Sequence, residues 1–212
     1  MNVINGIKHG TMKLIFATNN QHKVDEIRSV IRNSFLEIIT LKEAGIEIDI
    51  PEPFNTLEEN ASNKSRTICE MKKTDARVIG CFSEDTGLEV EALNGEPGVR
   101  SARYAGDEKS FDRNIEKLLT KLEGTTNRKA KFRTVISLII RQNETLFEGT
   151  CEGTIEYGRK GERGFGYDPI FVPNGSIHTF AEMNIEEKNK FSHRKKATDK
   201  LIAFLSDEFV RS

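Results

Sequence analysis

The stretch SEDTGLEVEALNGEPGVRSARYAG, residues 83–106, decides how the fold is interpreted. It follows the apolar residues 78–82, which predict a buried strand. Glu84 and Asp85 stand where this strand is expected to end. Burying a carboxylate is unfavourable unless it is paired or binds a metal. The acid pair is therefore either an exposed surface turn or a binding site at the end of a strand.

Length and composition are those of an ordinary globular protein. The chain has 212 residues, enough for a substantial core in one large domain or two lobes. Hydrophobic residues make up 36% and charged residues 31%, and the formal net charge is -1. This charge argues against a protein that coats nucleic acid, but it allows a local basic pocket.

The cysteines and the N-terminal residues favour a cytoplasmic protein. Cys69, Cys81 and Cys151 are widely spaced without a C-x-x-C pair, which disfavours a disulfide framework or a zinc site. We expect buried free thiols in a reducing compartment. No apolar run is long enough to span a membrane, and residues 1–11 lack the apolar core of a signal peptide. We interpret residues 1–11 as an N-terminal extension that need not be ordered, and residues 12–212 as a single domain.

Hydrophobic periodicity predicts an alternation of strands and helices. Thr56 and Glu59 form a capping-box pattern before an amphipathic helix. We predict an α/β fold with one long mixed sheet, helices packed on it, and a cleft at the strand ends. The predicted elements are strands at 13–18, 36–40, 78–82 and 129–140, a hairpin or meander at 144–158, and helices that begin near Lys23, Thr56, Phe111 and Ser192.

Two polar stretches suit a phosphate chain. TNNQHK, residues 18–23, forms a turn before a predicted helix, whose N-terminal N–H groups and dipole favour phosphate, and Lys23 adds a charge. The pattern of a P-loop occurs nowhere in the sequence. Asn60 and Lys64 share a face of the next helix. Taken singly, a capped surface helix and a solvated helix face explain these residues equally well.

The acid pair and the loop after it suit a metal and an anion. Carboxylates such as Glu84 and Asp85 are ligands that Mg²⁺ prefers. Thr86 suits a turn cap, and Gly87 permits a sharp change of direction. Arg103, further along the same stretch, is placed to pair with the acids or to close over an anion.

GFGYDPIF, residues 164–171, combines glycines, aromatic rings and one acid. Aromatic rings suit stacking on a flat ligand, and Asp168 suits a hydrogen bond. A hairpin corner with core aromatics is the alternative, and a basic surface cluster is the alternative for Lys188, His193 and Arg194. Together, these stretches hold what a nucleoside triphosphate requires: cations for phosphates, carboxylates for a metal, and rings and polar groups for a base.

Five stretches then occur in the order and spacing of one family: FATNNQHKVDEI, LEENASNK, EDTGLEVEALNGEPGVRSARYAG, GFGYDPIF and FAEMNIEEKNKFSHRKKA. From Met12 on, the sequence resembles the inosine/xanthosine triphosphate pyrophosphatases, which hydrolyse non-standard purine nucleoside triphosphates. The residues of its motifs are most similar to those of archaeal members. The resemblance implies an elongated two-lobed α/β fold, usually a homodimer, with the active-site cleft between the lobes. It further implies hydrolysis of the α–β phosphate bond with Mg²⁺, which gives a nucleoside monophosphate and pyrophosphate.

The resemblance also implies roles for individual residues. Asp85 would be the proton acceptor and a metal ligand, with Lys64 and Lys23 assisting catalysis. Glu52 and Glu84 would be further acids at the metal. The implied substrate-binding residues are Thr18, Asn19, Asn20, Gln21, His22 and Lys23 for the phosphates, Thr86 for a hydroxyl contact, and Phe165, Gly166, Tyr167, Asp168, Lys188, His193 and Arg194 for the nucleoside.

Two departures from the family pattern and three rival functions accompany this interpretation. Glu84 replaces an aspartate that many members have, and Asn19 replaces a glycine in the phosphate turn. The rival functions are a pyrophosphatase for another modified nucleotide, a phosphohydrolase that releases orthophosphate, and a nucleotide-binding sensor without turnover.

Overall fold

The computed structural model describes residues 12–31, 36–71 and 78–209. Within these residues a seven-stranded sheet has the order β2-β1-β3-β5-β6-β7, with β4 beside β3. The strands are β1 Met12–Phe16, β2 Leu36–Thr40, β3 Val78–Val90, β4 Pro97–Gly98, β5 Lys129–Ile140, β6 Asn143–Ile155 and β7 Phe171–Pro173. The helices are α1 Gln21–Val30, α2 Leu57–Met71, α3 Phe111–Lys121, α4 Ile185–Asn189 and α5 His193–Phe209. The prediction of an α/β fold with a mixed sheet is confirmed.

The sheet is parallel at one end and antiparallel at the other. β1 runs parallel to both β2 and β3, and α1 makes the crossover between β1 and β2. β3, β5 and β6 are antiparallel neighbours of 13, 12 and 13 residues, each spanning roughly 40 Å. These long strands extend well past β1 and β2, so the sheet supports a hydrophobic cluster at each of its two ends.

The two clusters bury different helices. One cluster joins Phe16 and Phe82 to α1 and to Ala197, Leu201 and Leu205, which are spaced by four residues on one face of α5. The other cluster joins Leu88 and Phe132 to Ile115 and Leu118 of α3. The part of β3 between Phe82 and Leu88 therefore lies between two lobes.

β3 continues past the residue at which the sequence predicted its end. Glu84 and Asp85 pair with Ile136 and Val135 of β5 in the middle of the strand. The predicted strand end was wrong because the antiparallel partner supplies the backbone hydrogen bonds that carry β3 through the acids. The segment predicted as a hairpin or meander at 144–158 is one long strand, β6, which forms a hairpin with β5.

One edge of β3 is open between its short neighbours. β1 pairs with β3 as far as Phe82, and β4 pairs with β3 from Leu88. In the described ranges, residues 83–87 therefore have their strand pairing on the β5 side only. An open edge at this point leaves space beside the side chains of Asp85 and Thr86.

Three further sequence predictions concern the chain as a whole. Cys81 and Cys151 are buried free thiols, as expected. In the described part of the chain, no helix combines the length and the apolar character needed to cross a membrane. The predicted N-terminal extension, residues 1–11, lies outside the described residues, and the single domain at 12–212 stays a prediction.

Gly149 of β6 brings the sheet into direct contact with the start of α5. A Cβ atom at this position would overlap the carbonyl oxygen of His193 and the backbone nitrogen of Ala197. We expect Gly149→Ala to lower the free energy of unfolding by about 2 kcal/mol, measured by urea denaturation, because it overpacks this contact. Gly158→Ala is the control: its Cβ would meet nothing within 4 Å, and it should change stability by less than about 0.5 kcal/mol. Equal stability of the two variants would contradict the contact.

Candidate active site

A cleft of about 280 Å³ at the open edge of β3 brings most of the predicted residues together. Three of the predicted residues, Gln21, His22 and Glu84, are not part of its lining. The predicted residues that do line it are Thr18, Asn19, Asn20, Lys23, Glu52, Lys64, Asp85, Thr86, Phe165, Gly166, Tyr167, Asp168, Lys188, His193 and Arg194.

The N-terminus of α1 forms one end of the cleft. The Asn20 side chain caps the helix by accepting a hydrogen bond from the backbone nitrogen of Lys23 at 3.3 Å. Thr18 Oγ1 accepts from the backbone nitrogen of Asn20 at 3.2 Å. The first N–H groups of a helix have no acceptor within the helix, so this end presents donors and the positive end of the helix dipole to an anion. This geometry suits an anion, and phosphate binding by the turn stays a prediction.

Gln21 and His22 belong to the same helical turn but have contacts outside the cleft. Gln21 Nε2 donates to Asp25 Oδ1 at 2.7 Å on the protein surface. The His22 ring stacks on the Phe165 ring, with centroids 5.0 Å apart and an interplanar angle of 12°. Direct substrate contact by these two side chains stays a prediction.

Asp85 is a buried carboxylate in which one of the two oxygens accepts a hydrogen bond. Its Oδ1 accepts a hydrogen bond from Lys64 Nζ at 3.2 Å, whereas its Oδ2 is buried without a hydrogen-bond partner. Burial raises the pKa of Asp85, although the Lys64 ammonium beside it favours the charged form. Burial lowers the pKa of Lys64, but the carboxylates of Asp85 and Glu52 raise it by more, so the pKa lies above its ordinary value. Lys64 therefore stays a cation at neutral pH.

Glu52 is held between two cations from different parts of the fold. Its Oε1 accepts from Lys64 Nζ at 2.6 Å, and its Oε2 accepts from Arg103 Nη1 at 3.1 Å. Arg103 Nη2 also donates to the backbone oxygen of Glu52 at 2.6 Å. Burial opposes ionisation of Glu52, but Lys64 outweighs it and lowers its pKa to about 2. The suggested pairing of Arg103 with Glu84 or Asp85 was wrong, because the acid that it contacts is Glu52, and closure of Arg103 over an anion stays a prediction.

Glu84 is adjacent to Asp85 in sequence but points to the opposite face of β3, because side chains alternate along a strand. Its Oε2 accepts from Arg194 Nε at 2.6 Å, and its Oε1 accepts from Arg194 Nη2 at 3.1 Å and lies 2.9 Å from Lys23 Nζ. Burial opposes ionisation, but Arg194 and Lys23 outweigh it and hold the pKa of Glu84 far below its usual range. Its predicted role as a metal ligand stays a prediction.

Sequence reasoning missed Glu26, the acid that joins the two cations at the other end of the cleft. Its carboxylate accepts from Lys188 Nζ at 2.6 Å and from Arg194 Nη1. Lys188 Nζ also donates to Asp168 Oδ2 at 2.6 Å. Burial opposes ionisation of Glu26, but Arg194 and Lys188 outweigh it and lower its pKa to about 2. Its position one helical turn after Lys23 was the available signal, since residues three apart share a helix face.

The aromatic end of the cleft is built around Asp168 and His193. Asp168 Oδ2 accepts from the backbone nitrogen of Phe165 at 2.9 Å, and Gly164, at a φ of +74°, has no room for a Cβ because that carboxylate oxygen occupies the space. His193 is buried and stacks on Phe132 with centroids 4.6 Å apart, and its Nδ1 has no hydrogen-bond partner. Burial lowers the pKa of His193 well below its usual value, so its ring is neutral at pH 7.

Comparison with known proteins gives one consistent result. The model of the Ham1 family matches residues 14–204. A protein of Flavobacterium psychrophilum named dITP/XTP pyrophosphatase is 47% identical over 92% of this chain and 100% of its own length. A protein of Porphyromonas gingivalis with the same name is 48% identical over 91% of this chain and 97% of its own length.

Solved structures of Ham1 proteins have the same fold. The Staphylococcus aureus Ham1 protein is 41% identical, with a TM-score of 0.81 over 92% of this chain and 99% of its own. A HAM1 protein from Coxiella burnetii is 33% identical, with a TM-score of 0.83 over 93% of this chain and 100% of its own. The likeness therefore extends over both lobes and the cleft between them.

The depressed pKa of Glu26 gives the wild-type protein a pH-dependent stability. The unfolded chain has a glutamate pKa of about 4.3, so the stabilisation from ionised Glu26 is complete above about pH 5 and is lost as pH falls towards 2. At pH 7 we expect Glu26→Gln to lower the free energy of unfolding by about 3 kcal/mol, because Lys188 and Arg194 each lose a charged partner.

Urea denaturation at several pH values tests this expectation. The stability gap between wild type and Glu26→Gln should be constant above about pH 5 and should narrow at lower pH. Asp25→Asn, an exposed acid on the same helix, is the control and should stay within about 0.5 kcal/mol of wild type. A gap that widens on acidification would show that Glu26 is not a stabilising anion.

Proposed function

The chain belongs to the Ham1 family, and on this premise we propose that it hydrolyses non-standard purine nucleoside triphosphates to the nucleoside monophosphate and pyrophosphate. The names of its relatives, dITP/XTP pyrophosphatase, support inosine, deoxyinosine and xanthosine triphosphates as substrates. One observation carries the proposal. A single cleft joins a helix N-terminus with two lysines, a buried carboxylate with an unpartnered oxygen, and an aromatic pocket with hydrogen-bond donors.

Mg²⁺ is the cofactor in this proposal, and the donor set fits it. Asp85 Oδ2 is a buried oxygen without a hydrogen-bond partner, and Glu52 shares Lys64 with Asp85. Among the described residues, no group of three or more His, Cys, Asp or Glu side chains is placed to hold a metal ion alone. This suits Mg²⁺, which proteins usually bind through one or two carboxylates together with substrate phosphates. When bound, Mg²⁺ supplies charge neutralisation and acidifies a coordinated water.

Asp85 is the proton acceptor in the proposed reaction. A water molecule attacks the α-phosphorus, its proton passes to the Asp85 carboxylate, and the bond from the α-phosphorus to the bridging oxygen breaks as pyrophosphate leaves. Lys64 and Lys23 stabilise the charge that develops on the leaving pyrophosphate. Thr18, Asn20 and the N-terminus of α1 position the phosphates. Glu84 acts indirectly, because it holds Lys23 and Arg194 in place.

The aromatic end distinguishes the bases through its hydrogen-bond donors. Lys188 has three N–H donors and uses two of them on Glu26 and Asp168, which leaves one for a ligand. Hypoxanthine and xanthine present an oxygen at position 6, which accepts from such a donor. Adenine presents an amino group there, so a donor would face a donor, and a buried polar group would be left unpaired. Phe165 supplies a ring for stacking on the base.

One of the rival functions lacks support from this geometry, and a second is distinguished by its product. A sensor without turnover needs phosphate cations and a base pocket, but it has no use for a buried carboxylate with an unpartnered oxygen between them. A phosphohydrolase that releases orthophosphate would attack the γ-phosphorus instead. Assembly as a homodimer and a cytoplasmic location complete the proposal as further predictions.

Turnover of different nucleotides tests the reaction and the base preference together. With Mg²⁺, we expect the triphosphates of inosine, xanthosine and deoxyinosine to be cleaved at least about 100-fold more efficiently than adenosine triphosphate, in kcat/KM. Chromatography of the products should show the monophosphate and pyrophosphate. Release of orthophosphate, or equal rates on adenosine triphosphate, would overturn the proposed function.

Removal of the proton acceptor should abolish most of the activity. We expect Asp85→Asn to reduce kcat by at least about 1,000-fold, because the amide neither accepts the proton nor carries a charge. Circular dichroism should show a folded protein. Glu89→Gln, an acid on the same strand outside the cleft lining, is the matched control and should keep kcat within about 2-fold of wild type. A near-normal rate for Asp85→Asn would remove Asp85 from the mechanism.

A further inference from the structure

Phe165 has a backbone that does not by itself fix the direction of its ring. It lies between Gly164 and Gly166, which both have positive φ values, +74° and +62°. Residues 159–164, just before it, are exposed. The Phe165 backbone nitrogen donates to Asp168 Oδ2, but this bond does not fix the side-chain torsions. The direction of the ring therefore depends on the side chains around it, which include Lys188 and Arg194, whose Nζ and Cζ lie 5.4 Å and 5.5 Å from the ring centroid.

His22 is the side chain stacked face to face with Phe165. The two rings are nearly parallel, with an interplanar angle of 12° and centroids 5.0 Å apart. Phe111 also contacts Phe165, but at 6.1 Å and with a tilt of 48°. Phe165 borders both the active-site cleft and a second cavity, whereas His22 borders only the second one. As seen from the substrate cleft, His22 thus lies behind the Phe165 ring.

We propose that His22 is a positioning residue that holds the Phe165 ring where it stacks on the base of the substrate. The inference rests on the proposed function, since it assigns the base to the cleft side of Phe165. His22 lies on α1, whose first turn is capped by Asn20 and thus gives the ring a fixed support. The next residue, Lys23, lines the cleft at its phosphate end.

This arrangement differs from direct phosphate binding, the role that the family resemblance implies for residues 18–23. If His22 acted on phosphates, its loss would weaken the binding of any polyphosphate. If it acts through Phe165, its loss weakens only ligands that carry a base. Tripolyphosphate, which has no base, separates the two roles as a competitive inhibitor.

The test compares His22→Ala, Phe165→Ala and the double variant in steady-state turnover of xanthosine triphosphate. We expect His22→Ala to raise KM by about 5-fold and to keep kcat within about 2-fold, because one stacked aromatic pair is lost. In the Phe165→Ala background, the same change should have no further effect on KM. The inhibition constant of tripolyphosphate should be unchanged in His22→Ala, and His22→Phe should restore KM by restoring a stacked ring.

His178→Ala is the matched control, because His178 is an exposed histidine that lines neither the substrate cleft nor the second cavity. It should leave KM unchanged. An unchanged KM in His22→Ala, an equal rise in KM with and without Phe165, or a weaker inhibition by tripolyphosphate would each overturn the positioning role. Absence of xanthosine triphosphate turnover in the wild-type protein would instead overturn the proposed function.

Discussion

A buried chain of alternating charges constrains the site and the elements around it. Arg194 lies between Glu84 of β3 and Glu26 of α1, and Lys188 lies between Glu26 and Asp168. Lys23 extends this row of charges beyond Glu84, and every member except the two ends, Lys23 and Asp168, pairs with two others, so that no buried charge in the row is left without a partner. A change in how α1, α5 and β3 dock would therefore leave buried charges unpaired. The same ion pairs connect Lys23 at one end of the cleft with Lys188 and Asp168 at the other.

The alternation of side chains along β3 explains why two adjacent acids have different tasks. Glu84 faces α1 and α5, where cations occupy its oxygens. Asp85 faces α2, where Lys64 occupies one oxygen and leaves the other unpartnered. Glu84 has a longer side chain than the aspartate that the family resemblance implies at this position. Its carboxylate contacts Arg194 and Lys23, so the difference in length bears on the buried row of charges. The two carboxylates share a strand, but each belongs to a different network.

The sequence predicted those features that local patterns encode. Each of these features is formed by residues that are neighbours in sequence. Thr56 accepts a hydrogen bond from the backbone nitrogen of Glu59 at the start of α2, and residues of the stretches 18–23 and 164–171 line the cleft. The course of β3 through its acids was not predictable, because the strand that pairs with it, β5, lies far along the chain. The burial of Glu26 was not predictable, because Lys188 of α4 and Arg194 of α5, which contact it, lie far along the chain. The contact between His22 and Phe165 also joins residues that are far apart in sequence, so no local pattern predicts it.

The turn at residues 18–20 has Asn19 where the family resemblance implies a glycine. Asn19 is not among the residues with positive φ, so the turn does not require a glycine at this position. Its side-chain nitrogen donates to the backbone oxygen of Ile48 at 2.9 Å. Ile48 lies in the loop that continues to Glu52, so this bond ties the phosphate turn to the segment that carries the second acid. The Asn19 side chain thus adds a tether, which a glycine could not make, between the turn before α1 and the loop that carries Glu52.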